Sequence, residues 1–200
     1  MSPLHPAVAA TLLALVAVIR IGVVRYAPLD PDESEHLHAA WLVGDGRVPF
    51  LDFWDHHAPL FFYLLAPVTR WAWDSPNIYF VARALMAGTS GVALYLVYRL
   101  ARRLSAPAAL GAVLLLAVLP RFVDQTTEVR PDVPALLAWL GTLLALVRWR
   151  ESARPGWLWL AGLVLGGAVA LNLKTAYGVL GVVAVVALAS GAVGPPRLRR

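Results

Sequence analysis

The chain has 200 residues, of which 60% are hydrophobic and 14% charged, with no cysteine and a net charge of +5. Its mean hydropathy of +0.68 lies far outside the range of soluble domains and indicates a polytopic membrane protein. The lack of cysteine excludes disulfides, thiolate metal sites and thiol nucleophiles. The basic residues are scattered over predicted helix ends rather than gathered in one patch, which argues against nucleic acid as a partner.

Six apolar stretches approach the roughly 20 residues that a helix needs to cross a hydrocarbon core. They predict transmembrane helices near Ala7–Tyr26, Ile78–Tyr98, Ala106–Phe122, Pro134–Trp149, Trp157–Leu173 and Thr175–Val193. The first stretch has neither a basic n-region nor a clean cleavage site. We therefore predict a retained anchor and not a secretory signal.

The polar residues concentrate in the loop between the first two predicted spans, residues 28–77. Asp30, followed by Pro31 and Glu33, has the pattern of an N-cap with a capping box, and it predicts a helix that ends near Val43. On that helix Asp32, Glu35 and His36 share one face, because they are three and four residues apart.

A second helix in this loop is predicted over Pro59–Trp73, which is apolar but short and contains Pro67. This composition favours a helix that lies at the membrane interface. If it does not cross, the arginine clusters around residues 99–103, 148–154 and 197–200 share one side, which the positive-inside rule makes the cytoplasm. Loop 28–77 is then exoplasmic, and both chain termini are cytoplasmic.

Several short motifs, taken in order, resemble one family of membrane enzymes. Asp32-Glu33 is an acidic pair after the first span, and Asp55-His-His-Ala-Pro-Leu60 precedes the second predicted interfacial helix. Arg83 lies at the second span, Arg130-Pro-Asp132 is an outer-loop Arg-x-Asp, and Lys174 follows the fifth span. Together they are similar to the GT-C glycosyltransferases, and more narrowly to the superfamily of protein mannosyltransferases and lipid A aminoarabinose transferases. The fold class implied is an all-α polytopic membrane protein, with about six transmembrane helices and two interfacial helices. Residues 1–200 would form a single membrane domain that corresponds to the N-terminal part of such an enzyme.

The resemblance implies a reaction on the outer face of the cell membrane. A sugar would pass from a polyprenyl-phosphate donor, with inversion, to a lipid, glycan or protein acceptor. Asp32 matches the family's catalytic base, and Glu33 would act mainly as a helix cap or acceptor-side support. His57 occupies the position of the family's cation before its Pro-Pro-Leu motif. The remaining substrate- or phosphate-binding candidates are Arg130, Lys174, Arg83, Asp55 and Asp132. No metal ligand is assigned, although a divalent cation would be compatible with these residue types.

Other interpretations of the same residues remain open at this point. Glu33 is explained by capping alone, and His36, His38 and His56 are each typical of ordinary polar contacts. A transporter or flippase for a lipid-linked substrate would also use charges at the membrane edge. An inactive scaffold would need no chemistry at all. A metal-dependent hydrolase built on Asp32, His36 and His57 is disfavoured, because their spacing is not that of a tight ligand set.

Overall fold

The computed structural model describes residues 6–192, and within that range the regular structure is helical. Nine α-helices follow one another, with a 3₁₀ turn at Leu173–Thr175 before the last: α1 Pro6–Tyr26, α2 Pro31–Gly44, α3 Leu60–Ala72, α4 Ile78–Ala101, α5 Ala106–Val118, α6 Pro120–Gln125, α7 Asp132–Ser152, α8 Pro155–Leu171 and α9 Ala176–Ala192. The predicted all-α membrane fold is confirmed. The final residue of the predicted span Thr175–Val193 lies outside the described residues.

Helices α4 and α7 are long and apolar enough to cross a membrane. The pair α1 and α2 passes the same test together, but its two members meet at 77°. The other apolar helices are shorter, so about six crossings remain a prediction. The prediction of one continuous helix over Ala106–Phe122 is wrong. Helix α5 ends at Val118, where Leu119 is extended, since Pro120 disfavours helical backbone in the residue before it.

The two predicted helices of loop 28–77 are both present, as α2 and α3. Helix α2 begins with the predicted capping box: the Asp30 side chain accepts from the Asp32 backbone, and Glu33 accepts from the Asp30 backbone. Helix α3 has 13 residues, which is about 20 Å and shorter than the roughly 30 Å of a hydrocarbon core. It packs against α2. Their interface buries Phe61 and Phe62 in one core cluster with Leu37.

Helices α4 and α7 pack along each other, with α8 against α7. At their C-terminal ends Arg103 donates to Glu151. At the opposite end Arg83, in the second turn of α4, and Val129, just before α7, both donate to Glu33 of α2. The two helices therefore run in the same direction. Loop 28–77 covers one end of the bundle, and the arginine-rich turns lie at the other.

Candidate active site

Glu33 is the centre of a buried network. Its side chain is fully buried, and its carboxylate accepts from Arg83 Nε at 2.8 Å, from Arg83 Nη2, from Val129 N at 3.1 Å and from Asp30 N at 3.1 Å. The predicted capping function is thus confirmed, but it is one of four contacts. A carboxylate this deeply buried is stable only because it is paired and hydrogen-bonded.

Arg83 is engaged on every nitrogen. Besides Glu33 it donates to Ala27 O at 2.9 Å and to Pro28 O at 2.7 Å, and only 1% of it is exposed. The guanidinium thereby joins the end of α1, the start of α2 and the start of α4. The sequence suggested Arg83 as a phosphate-binding residue. Its contacts instead indicate that it holds Glu33 in place.

Asp32, the neighbour of Glu33, has a different environment. Its side chain is 41% exposed, and its Oδ2 lies 2.8 Å from Arg130 Nη1. Arg130 also contacts Asp30 at 3.0 Å and donates from Nε to Glu128. One guanidinium therefore serves three carboxylates, so this corner of the molecule keeps an excess of negative charge. Asp32 is held in orientation by Arg130 and still reaches solvent.

The pKa values of Arg130 and Glu128 are both shifted by their surroundings. Burial disfavours the charged guanidinium, but Glu128, Asp32 and Asp30 outweigh that effect and raise the pKa of Arg130. Burial raises the pKa of Glu128, and the nearby Arg130 opposes the rise. Arg130 is therefore a permanent cation in the physiological range, and its three nitrogens are shared among Asp30, Asp32 and Glu128.

His36 lies between this cluster and the loop that precedes α3. It is 1% exposed, and its Nδ1 is 2.8 Å from the Val129 carbonyl, which can only accept, so Nδ1 carries the proton. Its ring meets the ring of His57 at 4.6 Å between centroids. Burial, followed by the proximity of His57, lowers the pKa of His36. Among the described residues its Nε2 has no hydrogen-bond partner.

His57 is oriented by Asp55, which is 5% exposed. Asp55 Oδ1 accepts from the His57 backbone N–H at 2.8 Å and lies 3.0 Å from His57 Nδ1. His56 is adjacent, with ring centroids 3.9 Å apart, and its Nδ1 is 3.5 Å from Glu35 Oε1. Two imidazoles and two carboxylates thus converge beside α2.

The remaining predicted residues lie together where α7, α8 and α9 meet. Asp132 accepts from Asn172 Nδ2 at 3.1 Å, and Lys174 Nζ lies 3.5 Å from the same oxygen. They border a groove of about 320 Å³ that also contains Trp139. A Cβ at Gly178 would lie 2.4 Å from the end of the Trp139 ring, so a larger residue there would require the ring to move. Lys174 is 77% exposed, so its ammonium can reach a ligand outside the groove.

Two polar residues of this end were not assigned a function from the sequence. For Glu128 the available signal was its position two residues before Arg130. Arg20 lies within the first apolar stretch. It is buried, and Nη2 donates to Ser90 at 2.7 Å and to Thr126, while the guanidinium lies over Phe122.

Comparison with known families decides the affiliation of the chain. The family model for dolichyl-phosphate-mannose-protein mannosyltransferases matches residues 56–199. The chain belongs to this family. It is accordingly a membrane glycosyltransferase of the GT-C type at the level of the family. No curated protein and no solved structure gives a significant match.

The match to the mannosyltransferase family begins after α2, yet residues inside it hold α2 in place. Arg83 binds Glu33, Arg130 binds Asp32, and the His57 ring packs on His36. The tertiary structure therefore links α2, the helix that carries the acidic pair, to the matched part of the chain through three separate contacts.

Proposed function

We propose that this chain carries the catalytic end of an inverting glycosyltransferase that takes a sugar from a polyprenyl-phosphate donor on the outer face of the membrane. The observation that carries the proposal is the difference in burial and contacts between the two adjacent acids, Asp32 and Glu33. Glu33 is buried and fully bonded, whereas Asp32 is oriented by Arg130 and open to solvent. This is the environment required of a base that must reach a substrate hydroxyl.

In the proposed reaction Asp32 accepts the proton of the acceptor hydroxyl. The acceptor oxygen attacks the anomeric carbon from the side opposite the phosphate and forms the new glycosidic bond. The bond between that carbon and the phosphate oxygen breaks, and its electron pair leaves with the polyprenyl phosphate. A single displacement of this kind inverts the configuration.

The leaving phosphate needs cations or N–H donors where its negative charge develops. Arg130, His57 and Lys174 are the residues we assign to it. Asp55 orients the His57 ring. Asp132 accepts from the Asn172 side chain, which in turn accepts from the Lys174 backbone N–H. The donor's phosphate would compete with Asp30 and Glu128 for Arg130, so donor binding and the orientation of Asp32 are expected to be coupled.

Asp32→Asn tests the base, because it removes the proton acceptor with almost no change in volume. Transfer from radiolabelled polyprenyl-phosphate mannose to acceptors in native membranes should fall on the order of 100- to 10,000-fold. Asp45→Asn is the matched control, since Asp45 lies at the other end of α2. Near-normal transfer by Asp32→Asn would overturn the assignment and leave Asp52 or Asp55 as the next candidates.

The sidedness of the site is a separate part of the proposal. The cysteine-free chain allows single cysteines at positions 45 and 103 to be labelled with an impermeant thiol reagent. The two positions should label from opposite sides of the membrane, with position 45 outside. Labelling of both from one side would refute the exoplasmic placement of loop 28–77.

A further inference from the structure

We propose that Glu35, Asp55, His56 and His57 form a binding site for a divalent cation of the Zn²⁺ class. Each of these residues offers one ligand atom, and the four atoms lie within 4.8 Å of one another. Two come from imidazoles and two from carboxylates. The site does not depend on the transferase reaction, and it differs from the set Asp32, His36 and His57 considered from the sequence.

Three distances between pairs of ligand atoms can be compared with those around a four-coordinate ion. His57 Nδ1 is 3.0 Å from Asp55 Oδ1, His56 Nδ1 is 3.5 Å from Glu35 Oε1, and His56 Nδ1 is 4.0 Å from Asp55 Oδ1. Zinc bonds of about 2.1 Å at tetrahedral angles place ligand atoms roughly 3.4 Å apart. These three separations lie on both sides of that value, and because the four atoms spread over up to 4.8 Å, side-chain rotations would bring them onto one ion.

The donor set favours Zn²⁺ over other common ions. Imidazole with carboxylate suits zinc and its transition-metal neighbours, whereas Mg²⁺ and Ca²⁺ prefer oxygen ligands throughout. The two imidazole rings lie 3.9 Å apart between centroids, beside the two carboxylates. A cation bound between the four groups would hold this arrangement together.

The ligands come from parts of the chain that are already held in place. Glu35 lies on α2, and Asp55 is buried and receives the His57 backbone N–H. The His36 ring packs edge-on against the His57 ring, and His36 is itself hydrogen-bonded to the Val129 carbonyl. An ion here would join α2 to the loop before α3. If His57 binds through Nδ1, its proton resides on Nε2, which can then donate to the donor phosphate. Only this last consequence rests on the proposed function.

Metal binding to the purified full-length chain in detergent tests the site directly. After treatment with EDTA the protein should take up one equivalent of Zn²⁺ in a calorimetric titration, and its melting temperature should rise with Zn²⁺ concentration. Co²⁺ in the same site should give the intense visible absorption of a four-coordinate ion. Glu35→Gln, Asp55→Asn and His56→Gln should each weaken Zn²⁺ binding at least tenfold.

His38→Gln is the matched control, because His38 is an exposed histidine of α2 that stacks on Trp41. It should bind Zn²⁺ like the wild type. Glu35 is 43% exposed, so Glu35→Gln should fold normally even if the buried Asp55 tolerates no substitution. Failure of the wild-type chain to bind a saturating equivalent would overturn the proposal. So would loss of binding confined to His56→Gln with both carboxylate variants unaffected, which indicates adventitious binding to exposed imidazole.

Discussion

Each end of the helix bundle has an arginine–glutamate ion pair, but one pair is buried and the other is exposed to water. At the α2 end, Arg83 and Glu33 are 1% and 0% exposed and join four segments of the chain. At the other end, Arg103 and Glu151 link the ends of α4 and α7, with side chains 28% and 46% exposed. Water screens the second pair, and the first is cut off from water. An arginine–carboxylate pair therefore has structural importance only where burial removes the alternative of hydration.

The largest expected effect comes from Glu33→Gln. Glutamine can still cap α2, but it leaves the Arg83 guanidinium buried without a counter-charge, which costs about 3–5 kcal/mol in the free energy of unfolding. Chemical denaturation of the purified protein in detergent measures it. The double variant Glu33→Leu/Arg83→Met removes both charges and should recover only part of the loss, because four backbone groups also lose their partners. A Glu33→Gln protein as stable as the wild type would contradict the comparison of the two ends.

Arg130→Ala and His57→Ala should each weaken donor binding while leaving acceptor affinity largely unchanged. Loss of one hydrogen bond to a charged group is worth about 1.5–3 kcal/mol, or roughly 10- to 150-fold in affinity. Arg130→Lys should recover the charge without the multiple contacts, and so give an intermediate affinity. Equilibrium binding of a labelled polyprenyl-phosphate sugar measures this, and unchanged donor affinity in both alanine variants would remove these residues from the site.

Lys174→Gln should have a smaller effect that is confined to function. The side chain is 77% exposed and lies at the long distance of 3.5 Å from Asp132, so its loss should leave the melting temperature unchanged. Donor affinity should fall by a few-fold, about the 0.2–1 kcal/mol of a solvent-screened charge contact. A clear drop in melting temperature would show that Lys174 supports the junction of α7 and α8 and would argue against phosphate contact.

The smallest effect is expected at the other end of the bundle. Arg103→Ala should leave the melting temperature within experimental error, because the ion pair with Glu151 is screened by water and salt. Arg103→Glu adds repulsion and should be visible only at low ionic strength. Destabilisation by Arg103→Ala as large as that by Glu33→Gln would mean that burial is not what distinguishes the two pairs.

Local patterns predicted much of the site's framework. The capping box at Asp30 and Glu33 follows from residues three apart, and the structure contains it. The short apolar helix after Pro59 was likewise readable from its length and composition. The break at Leu119 was not predicted, because the apolar run continues through it and Pro120 is the single residue that marks it.

Contacts between distant residues were beyond local patterns. Glu33 meets Arg83 across 50 positions and Val129 across 96, and neither separation leaves a periodic trace. Arg130 was predicted to meet a phosphate, but its contacts with Asp30 and Asp32 could not be anticipated. The cluster of Glu35 with Asp55, His56 and His57 was missed for the same reason, since its members come from a helix and a loop.

The sequence by itself determined the membrane class, the helical content and the segment in which the polar chemistry concentrates. Those properties depend on hydropathy, on residue spacing within a helix and on capping, all of which act over a few residues. Only the tertiary structure decided which of two adjacent acids is buried and which stays open. That difference arises because Arg83 and Arg130 approach α2 from separate segments, and a carboxylate's role depends on the charges and the water that surround it.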